Sequence, residues 1–103
     1  NYWYYFNQYG VMQKGWLQLD TVWYYLGDDG RMFTNWQKMD NGTWYYFNEY
    51  GHRQKGWIKV SGTYYYLDEN GKMASNTTRT IDSVKYTFAK AVRARIHRPV
   101  SPA

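Results

Sequence analysis

Tryptophan and tyrosine side chains recur at regular intervals, and they are the groups in this sequence best suited to hold a ligand. Of 103 residues, 6 are Trp and 13 are Tyr, and aromatic residues make up 22% of the chain. Two columns of these residues repeat every 20 or 21 positions. The first comprises Trp16, Trp36 and Trp57, and the second, which opens a triplet of aromatic residues each time, comprises Trp3, Trp23, Trp44 and Tyr64. Aromatic ladders are more often structural than ligand-binding, but an indole repeated as in the first column is hard to explain as core alone.

Other side chains that could do chemistry lack the necessary spacing. No nucleophile, base and orienting acid recur together, so we expect no enzymatic activity in these residues and no cofactor. His52 and His97 have no second ligand nearby in the sequence, which argues against a metal site. The acidic segments 28–30 and 68–71 lack the ligand spacing of a calcium loop, and we interpret them as turns.

Charge and composition exclude several classes of protein. The net charge is +5, but residues 1–76 are neutral and the whole excess lies in residues 77–103. The tryptophan-rich part therefore has no basic stripe of the kind that binds nucleic acid, and we expect no nucleic-acid partner. The chain has no cysteine, which excludes disulfides, and no apolar run of the length that a membrane-spanning helix needs.

The spacing of the aromatic columns indicates a repeat protein. Residues 3–35 and 44–76, taken in order, are identical at 17 of 33 positions. We call this larger period the double repeat, because each copy contains two shorter units. Each unit of about 20 residues predicts a β-hairpin followed by a loop, with turn signals such as Asp40-Asn41-Gly42 and Ser61-Gly62. Because one short hairpin is marginal in water, we expect an all-β solenoid of stacked hairpins, in which large aromatic side chains replace an aliphatic core.

The repeats predict the organisation of the chain. We expect an array over residues 1–76, made of a partial repeat at 1–14 and full repeats at 15–34, 35–55 and 56–76. Residues 77–88 predict a degenerate terminal hairpin, and 89–103 a basic tail or linker. Because the chain begins inside a repeat, we expect it to be part of a longer protein.

The segments Gly15–Met32 and Gly56–Met73 resemble the choline-binding repeat, a cell-wall-binding module. The shared pattern is a Gly-Trp pair, a spacer, an aromatic triplet followed by Leu or Phe, and then Gly-x-Met. The resemblance implies a left-handed solenoid of hairpins with choline bound between consecutive hairpins. It also implies an extracellular location at the cell wall of Gram-positive bacteria, where surface proteins, autolysins and phage lysins bind choline or phosphocholine on teichoic and lipoteichoic acids.

The chemistry of choline agrees with this resemblance. A quaternary ammonium offers no hydrogen-bond donor, so a protein attracts it with negative charge or with the electron-rich faces of aromatic rings. One such small site should be weak, with millimolar affinity, and a polymer that carries many cholines makes a repeated array useful.

The resemblance also implies site residues, in boxes that combine two indoles of one repeat with a Tyr and often a Met of the next. The implied boxes are Trp16 and Trp23 with Tyr46; Trp36 and Trp44 with Tyr66 and Met73; and a possible third that begins with Trp57 and Tyr64. Strand alternation favours Tyr46 and Tyr66 over Tyr45 and Tyr65 as ligand residues. The latter two are then expected in the interior, together with Leu26, Phe47 and Leu67.

Arg53 departs from the family pattern because it occupies the position of the Met that would wall the first box. A guanidinium at this position repels choline unless it turns outward, so we expect the first box to be weak or empty.

Two other functions remain open from the sequence. Similar aromatic and glycine-rich repeats occur in modules that bind glucans, where rings stack on sugar faces. Exposed aromatic strips at the ends of a solenoid could instead serve as a spacer or pair two chains into a homodimer.

Overall fold

The structure is a computed structural model that describes residues 2–90 of the chain. These residues form eight short strands: β1 Gly15–Leu19, β2 Val22–Leu26, β3 Asn35–Lys38, β4 Trp44–Phe47, β5 Gly56–Val60, β6 Thr63–Leu67, β7 Thr77–Ile81 and β8 Val84–Phe88. Each odd-numbered strand pairs antiparallel with the strand that follows it, giving four separate two-stranded sheets. The predicted all-β architecture of short hairpins is confirmed.

The tight turns of the hairpins follow the predicted turn signals. Ser61 and Gly62 connect β5 to β6 with φ of 50° and 85°, and Asp82 and Ser83 do the same between β7 and β8 with φ of 52° and 70°. Positive φ at both turn residues matches the twist of the flanking strands. The turn between β3 and β4 is longer and places Gly42 at a φ of 87°.

A second set of residues with positive φ lies at the start of each hairpin. Gly15, Asn35, Gly56 and Asn76 have φ of 82°, 70°, 83° and 52°. Asparagine tolerates this left-handed conformation better than other residues with a side chain, and the Asn35 side-chain oxygen accepts a hydrogen bond from the Trp36 N–H at 2.8 Å. The glycine of the Gly-Trp pair therefore meets a backbone requirement, which Asn35 meets as well.

Three of the four loops that follow the aromatic triplets are closed by one side-chain oxygen each. The Asp68 carboxylate accepts hydrogen bonds from the Asn70 and Lys72 N–H groups at 2.8 and 2.9 Å, and the side chains of Asn7 and Asn48 make equivalent pairs of bonds. Asp68 thus has the turn role predicted for its acidic segment.

The chain divides into two compact units, residues 1–54 with β1 to β4 and residues 55–103 with β5 to β8. Several of the residues predicted to face the interior are buried: Leu26, Tyr45 and Phe47 in unit 1, and Leu67 in unit 2. Tyr65 is only half-buried.

Backbone hydrogen bonds join successive repeats inside unit 1. The Met32 N–H donates to the Trp3 carbonyl and the Arg53 N–H to the Trp23 carbonyl, both at 2.9 Å. The sulfur of Met32 also lies so close to Gly51 that a Cβ at that position would overlap it. Positions 32 and 53 are therefore held in equivalent places against the preceding aromatic triplet.

The part of the chain that the structure describes contains no helix long and apolar enough to cross a membrane. Residues 91–103, which make up most of the predicted tail and include His97, lie outside the described residues.

Candidate aromatic ligand-binding sites

The first aromatic cluster of unit 1 surrounds Trp16. Its ring centroid lies 6.1 Å from Trp23, 5.0 Å from Tyr25 and 5.0 Å from Tyr45, in each case with the rings edge to face. The centroid of the Phe47 ring lies 5.9 Å away. Trp16 nevertheless keeps 38% of its surface exposed. We call these five rings the Trp16 cluster.

The composition of this cluster follows from the strand register. Trp16 pairs directly with Tyr25 across β1 and β2, so the two side chains share a face with Trp23. The following hairpin meets this face with Tyr45 and Phe47, which alternate with Trp44 and Tyr46 along β4.

Tyr45, and not Tyr46, is therefore the tyrosine whose ring packs on Trp16, whereas the expected box combined Trp16 with Tyr46. Tyr46 lies opposite Trp36 in the register of its own hairpin, with the ring centroids 5.0 Å apart. Alternation correctly places Tyr46 on the face of Trp44, but that face points away from the Trp16 cluster.

A cation of the chain already occupies the Trp16 cluster. The Cζ atom of Arg53 lies 5.5 Å from the ring centroid of Trp16 and 5.4 Å from that of Trp23. Both distances are within the range of a cation–π interaction. The guanidinium thus turns inward, onto the two indoles that the sequence assigned to the first choline box.

Unit 2 contains a similar arrangement around Trp57, without a second indole. Its ring lies 5.2 Å from Tyr66, 4.9 Å from Tyr86 and 6.0 Å from Phe88, and 40% of its surface is exposed. We call these four rings the Trp57 cluster. At the spacing of the double repeat, its members correspond in order to Trp16, Tyr25, Tyr45 and Phe47. Tyr86 and Phe88 were not predicted as site residues, although this spacing would have found them.

Tyr64, the remaining residue of the third predicted box, is 63% exposed. The ammonium of Lys59, which pairs with Tyr64 across β5 and β6, lies 5.2 Å from its ring centroid. Lys59 is exposed, and its ammonium lies over a single ring. Arg53, by contrast, lies over two indoles.

The residues of the second predicted box lie in different units. Trp36 and Trp44 are buried in unit 1, with ring centroids 6.4 Å apart. Tyr66 and Met73 belong to unit 2. The grouping of these four residues stays a prediction.

A largely apolar cleft of about 340 Å³ lies in unit 1 and is lined by Trp3, Tyr24 and Met32 among others. Trp3 and Met32 hold the positions that Trp23 and Arg53 hold one repeat later. Glu49 and Tyr50 also line the cleft, and a hydrogen bond to the Glu49 carboxylate raises the pKa of Tyr50.

Two polar groups near these aromatic residues have structural partners. His52 packs edge to face on Tyr24 at 5.4 Å, a ring contact that accounts for its position without a metal. The Asp29 carboxylate accepts one hydrogen bond from the Arg31 backbone N–H and one from the Arg31 side chain. These bonds, the backbone one most strongly, lower the pKa of the Asp29 carboxyl. Arg31 in turn lies over the Tyr2 ring at 4.5 Å.

These features define a repeat protein whose hairpins stack through clusters of partly exposed aromatic rings. The family model of the choline-binding repeat matches residues 1–36 and 33–77. The chain belongs to the choline-binding repeat family, and it is a binding module.

Solved structures agree with this assignment. CbpJ of Streptococcus pneumoniae TIGR4 is 42% identical with a TM-score of 0.72 over 80% of this chain, and choline-binding protein F of the same species is 41% identical with a TM-score of 0.75 over 85%. The pneumococcal cell-wall endolysin of phage Cp-1, solved in complex with choline, is 35% identical with a TM-score of 0.58 over 84%.

The matched part covers 28% of the CbpJ chain, 28% of choline-binding protein F and 26% of the endolysin. Comparison with the curated proteins gives no match.

Proposed function

We propose that this protein binds choline or phosphocholine on the teichoic or lipoteichoic acids of a bacterial cell wall, through aromatic clusters between consecutive hairpins. The observation that carries the proposal is the Arg53 guanidinium, which lies about equally close to the two indoles of the Trp16 cluster. The arrangement of rings in this fold is therefore suited to holding an organic cation.

The Trp57 cluster offers a similar exposed indole in unit 2, packed on tyrosine and phenylalanine rings and without a second indole. Trp57 presents an exposed ring face, and Tyr86 packs on it edge to face at 4.9 Å, which fixes the orientation of the indole. Such a surface favours a ligand with a diffuse positive charge and apolar methyl groups, because burial of the methyls and cation–π attraction then act together. Choline has both properties.

The known neighbours support this ligand and location. The Cp-1 protein is described as a cell-wall endolysin in complex with choline. By similarity, we place the present protein outside the cell at the wall, as a non-covalent attachment module. The activity of the whole protein, if it has one, would reside in other segments.

Retention on a trimethylammonium matrix tests the proposal without interference from ion exchange. The chain carries a net charge of +5, so a cationic matrix repels it and cannot retain it by charge. At physiological ionic strength, we expect the protein to be retained and then eluted by choline at tens of millimolar, whereas the same concentration of additional NaCl leaves it bound. Flow-through of the protein at all salt concentrations would contradict choline binding.

A parallel pull-down on an insoluble glucan separates the leading function from its main alternative. We expect no enrichment on the glucan. Retention on the glucan that choline does not reverse would instead favour a carbohydrate-binding module. An apparent mass that rises with protein concentration in the absence of any ligand would favour self-association.

A further inference from the structure

We infer that Arg53 is an intramolecular ligand of the Trp16 cluster and closes that cluster to choline. The inference rests on the proposed function and adds to it that one aromatic cluster is closed by a side chain of the same protein.

The position of the Arg53 guanidinium is set by the backbone. The backbone N–H of Arg53 donates to the Trp23 carbonyl at 2.9 Å, and Arg53 forms a β-bridge with Phe47. The side chain therefore starts beside the second indole, and it ends with Cζ 5.5 and 5.4 Å from the rings of Trp16 and Trp23. These two rings lie at 86° to each other, so the guanidinium occupies the corner that they form.

Met32 occupies the equivalent position one repeat earlier and is neutral. Met32 makes the same backbone hydrogen bond, to the Trp3 carbonyl at 2.9 Å, and the same kind of β-bridge, to Leu26. Trp3 and Met32 line the apolar cleft of about 340 Å³. The backbone is therefore equivalent at positions 32 and 53, and position 53 differs in carrying a charged side chain.

Charge makes the occupation exclusive. A choline placed in the same corner would lie within about 5 Å of the guanidinium, and at an effective dielectric constant near 20 the repulsion of two unit charges weakens binding on the order of 100-fold. To admit choline, Arg53 would have to leave both indoles and lose its own cation–π contacts.

The first test is a choline titration of the full chain followed by the indole N–H signals in NMR spectra. In the wild type, we expect choline to shift the Trp57 signal and to leave those of Trp16 and Trp23 in place. In Arg53→Met, which copies the residue at position 32, we expect Trp16 and Trp23 to titrate as well, because the substitution removes a repulsion that weakens binding on the order of 100-fold.

Arg31→Met is the matched control. It removes the same charge and a cation that also lies over a ring, that of Tyr2, but outside the Trp16 cluster. We expect its titration to equal that of the wild type. A gain at Trp16 and Trp23 in Arg31→Met as large as in Arg53→Met would overturn the inference, because net charge alone would then explain it.

A second measurement needs no choline and separates the inference from the proposed function. In the wild type, we expect ring currents to shift the Arg53 δ protons upfield, and this shift to decrease in Trp16→Ala, in which the Trp23 ring remains. Arg53 protons at ordinary shifts, or wild-type Trp16 and Trp23 signals that titrate together with Trp57, would overturn the closure by Arg53. If no signal responds to choline in either protein while Arg53 is shifted, the proposed function fails and the internal contact stands.

Discussion

Replacing Trp57 with alanine is expected to weaken choline binding at the Trp57 cluster by about 30-fold or more. Each desolvated ring contributes about 2 kcal/mol to a cation–π site, and about 1.4 kcal/mol corresponds to a tenfold change in affinity. Trp57 contacts Tyr66, Tyr86 and Phe88, so its removal also takes one ring contact from each of them. The choline midpoint of the Tyr86 ring protons measures the loss.

Trp16→Ala is the matched control for this variant. Trp16 packs on the equivalent tyrosine and phenylalanine rings in the preceding copy of the double repeat, with Trp23 in addition, and has almost the same exposure, 38% against 40%. We therefore expect both substitutions to lower the free energy of unfolding by similar amounts. Because Arg53 already occupies the Trp16 cluster, only Trp57→Ala should lose choline affinity at Tyr86. Equal losses of affinity in the two variants would show that the effect is structural.

Phe47→Ala is expected to have the largest effect on stability, about 3–5 kcal/mol of the free energy of unfolding. The Phe47 ring is 0% exposed and packs 5.9 Å from Trp16, so truncation leaves a cavity in unit 1. Urea unfolding of the full chain, followed by far-UV circular dichroism, measures the loss.

Phe6→Ala provides the comparison because it changes the same residue type at the same place after an aromatic triplet. Phe6 forms a β-bridge with Met12, as Phe47 does with Arg53, but 55% of its surface is exposed. We expect this variant to lose less than about 1 kcal/mol. A comparable loss in both variants would mean that repeat position, and not burial, determines the cost.

The hairpins were predictable from the sequence because their signals are local. The regular recurrence of the aromatic columns marks each repeat. The Ser61-Gly62 turn signal lies inside a single repeat. The structure has strands β5 and β6 on either side of that turn. The replacement of glycine by Asn35 was also predictable as a tolerated change, since asparagine adopts positive φ.

The structure packs Tyr45 rather than Tyr46 on Trp16 for a physical reason. Alternation along β4 determines which side chains share a face, but it does not determine which face meets the preceding hairpin. That choice depends on the direction of stacking, which is a tertiary property.

Two further features of the sites depend on information that lies outside one repeat. The sequence placed Arg53 at the position of the expected Met, but its rotamer, turned onto Trp16 and Trp23, follows only from the packed structure. Tyr86 and Phe88 were missed because Thr77 replaces the tryptophan of the first column, although the spacing of the double repeat continues through the last hairpin.

The central claim is that partly exposed aromatic faces of this module recognise the positive charge of choline. The most direct test is a titration of the Tyr86 and Trp57 signals with choline and with 3,3-dimethylbutan-1-ol, which has the same shape without the charge. A cation–π contribution of about 2 kcal/mol predicts that choline binds at least about tenfold more tightly than the neutral alcohol. Equal midpoints for the two ligands would contradict the account, because the cluster would then recognise apolar surface alone.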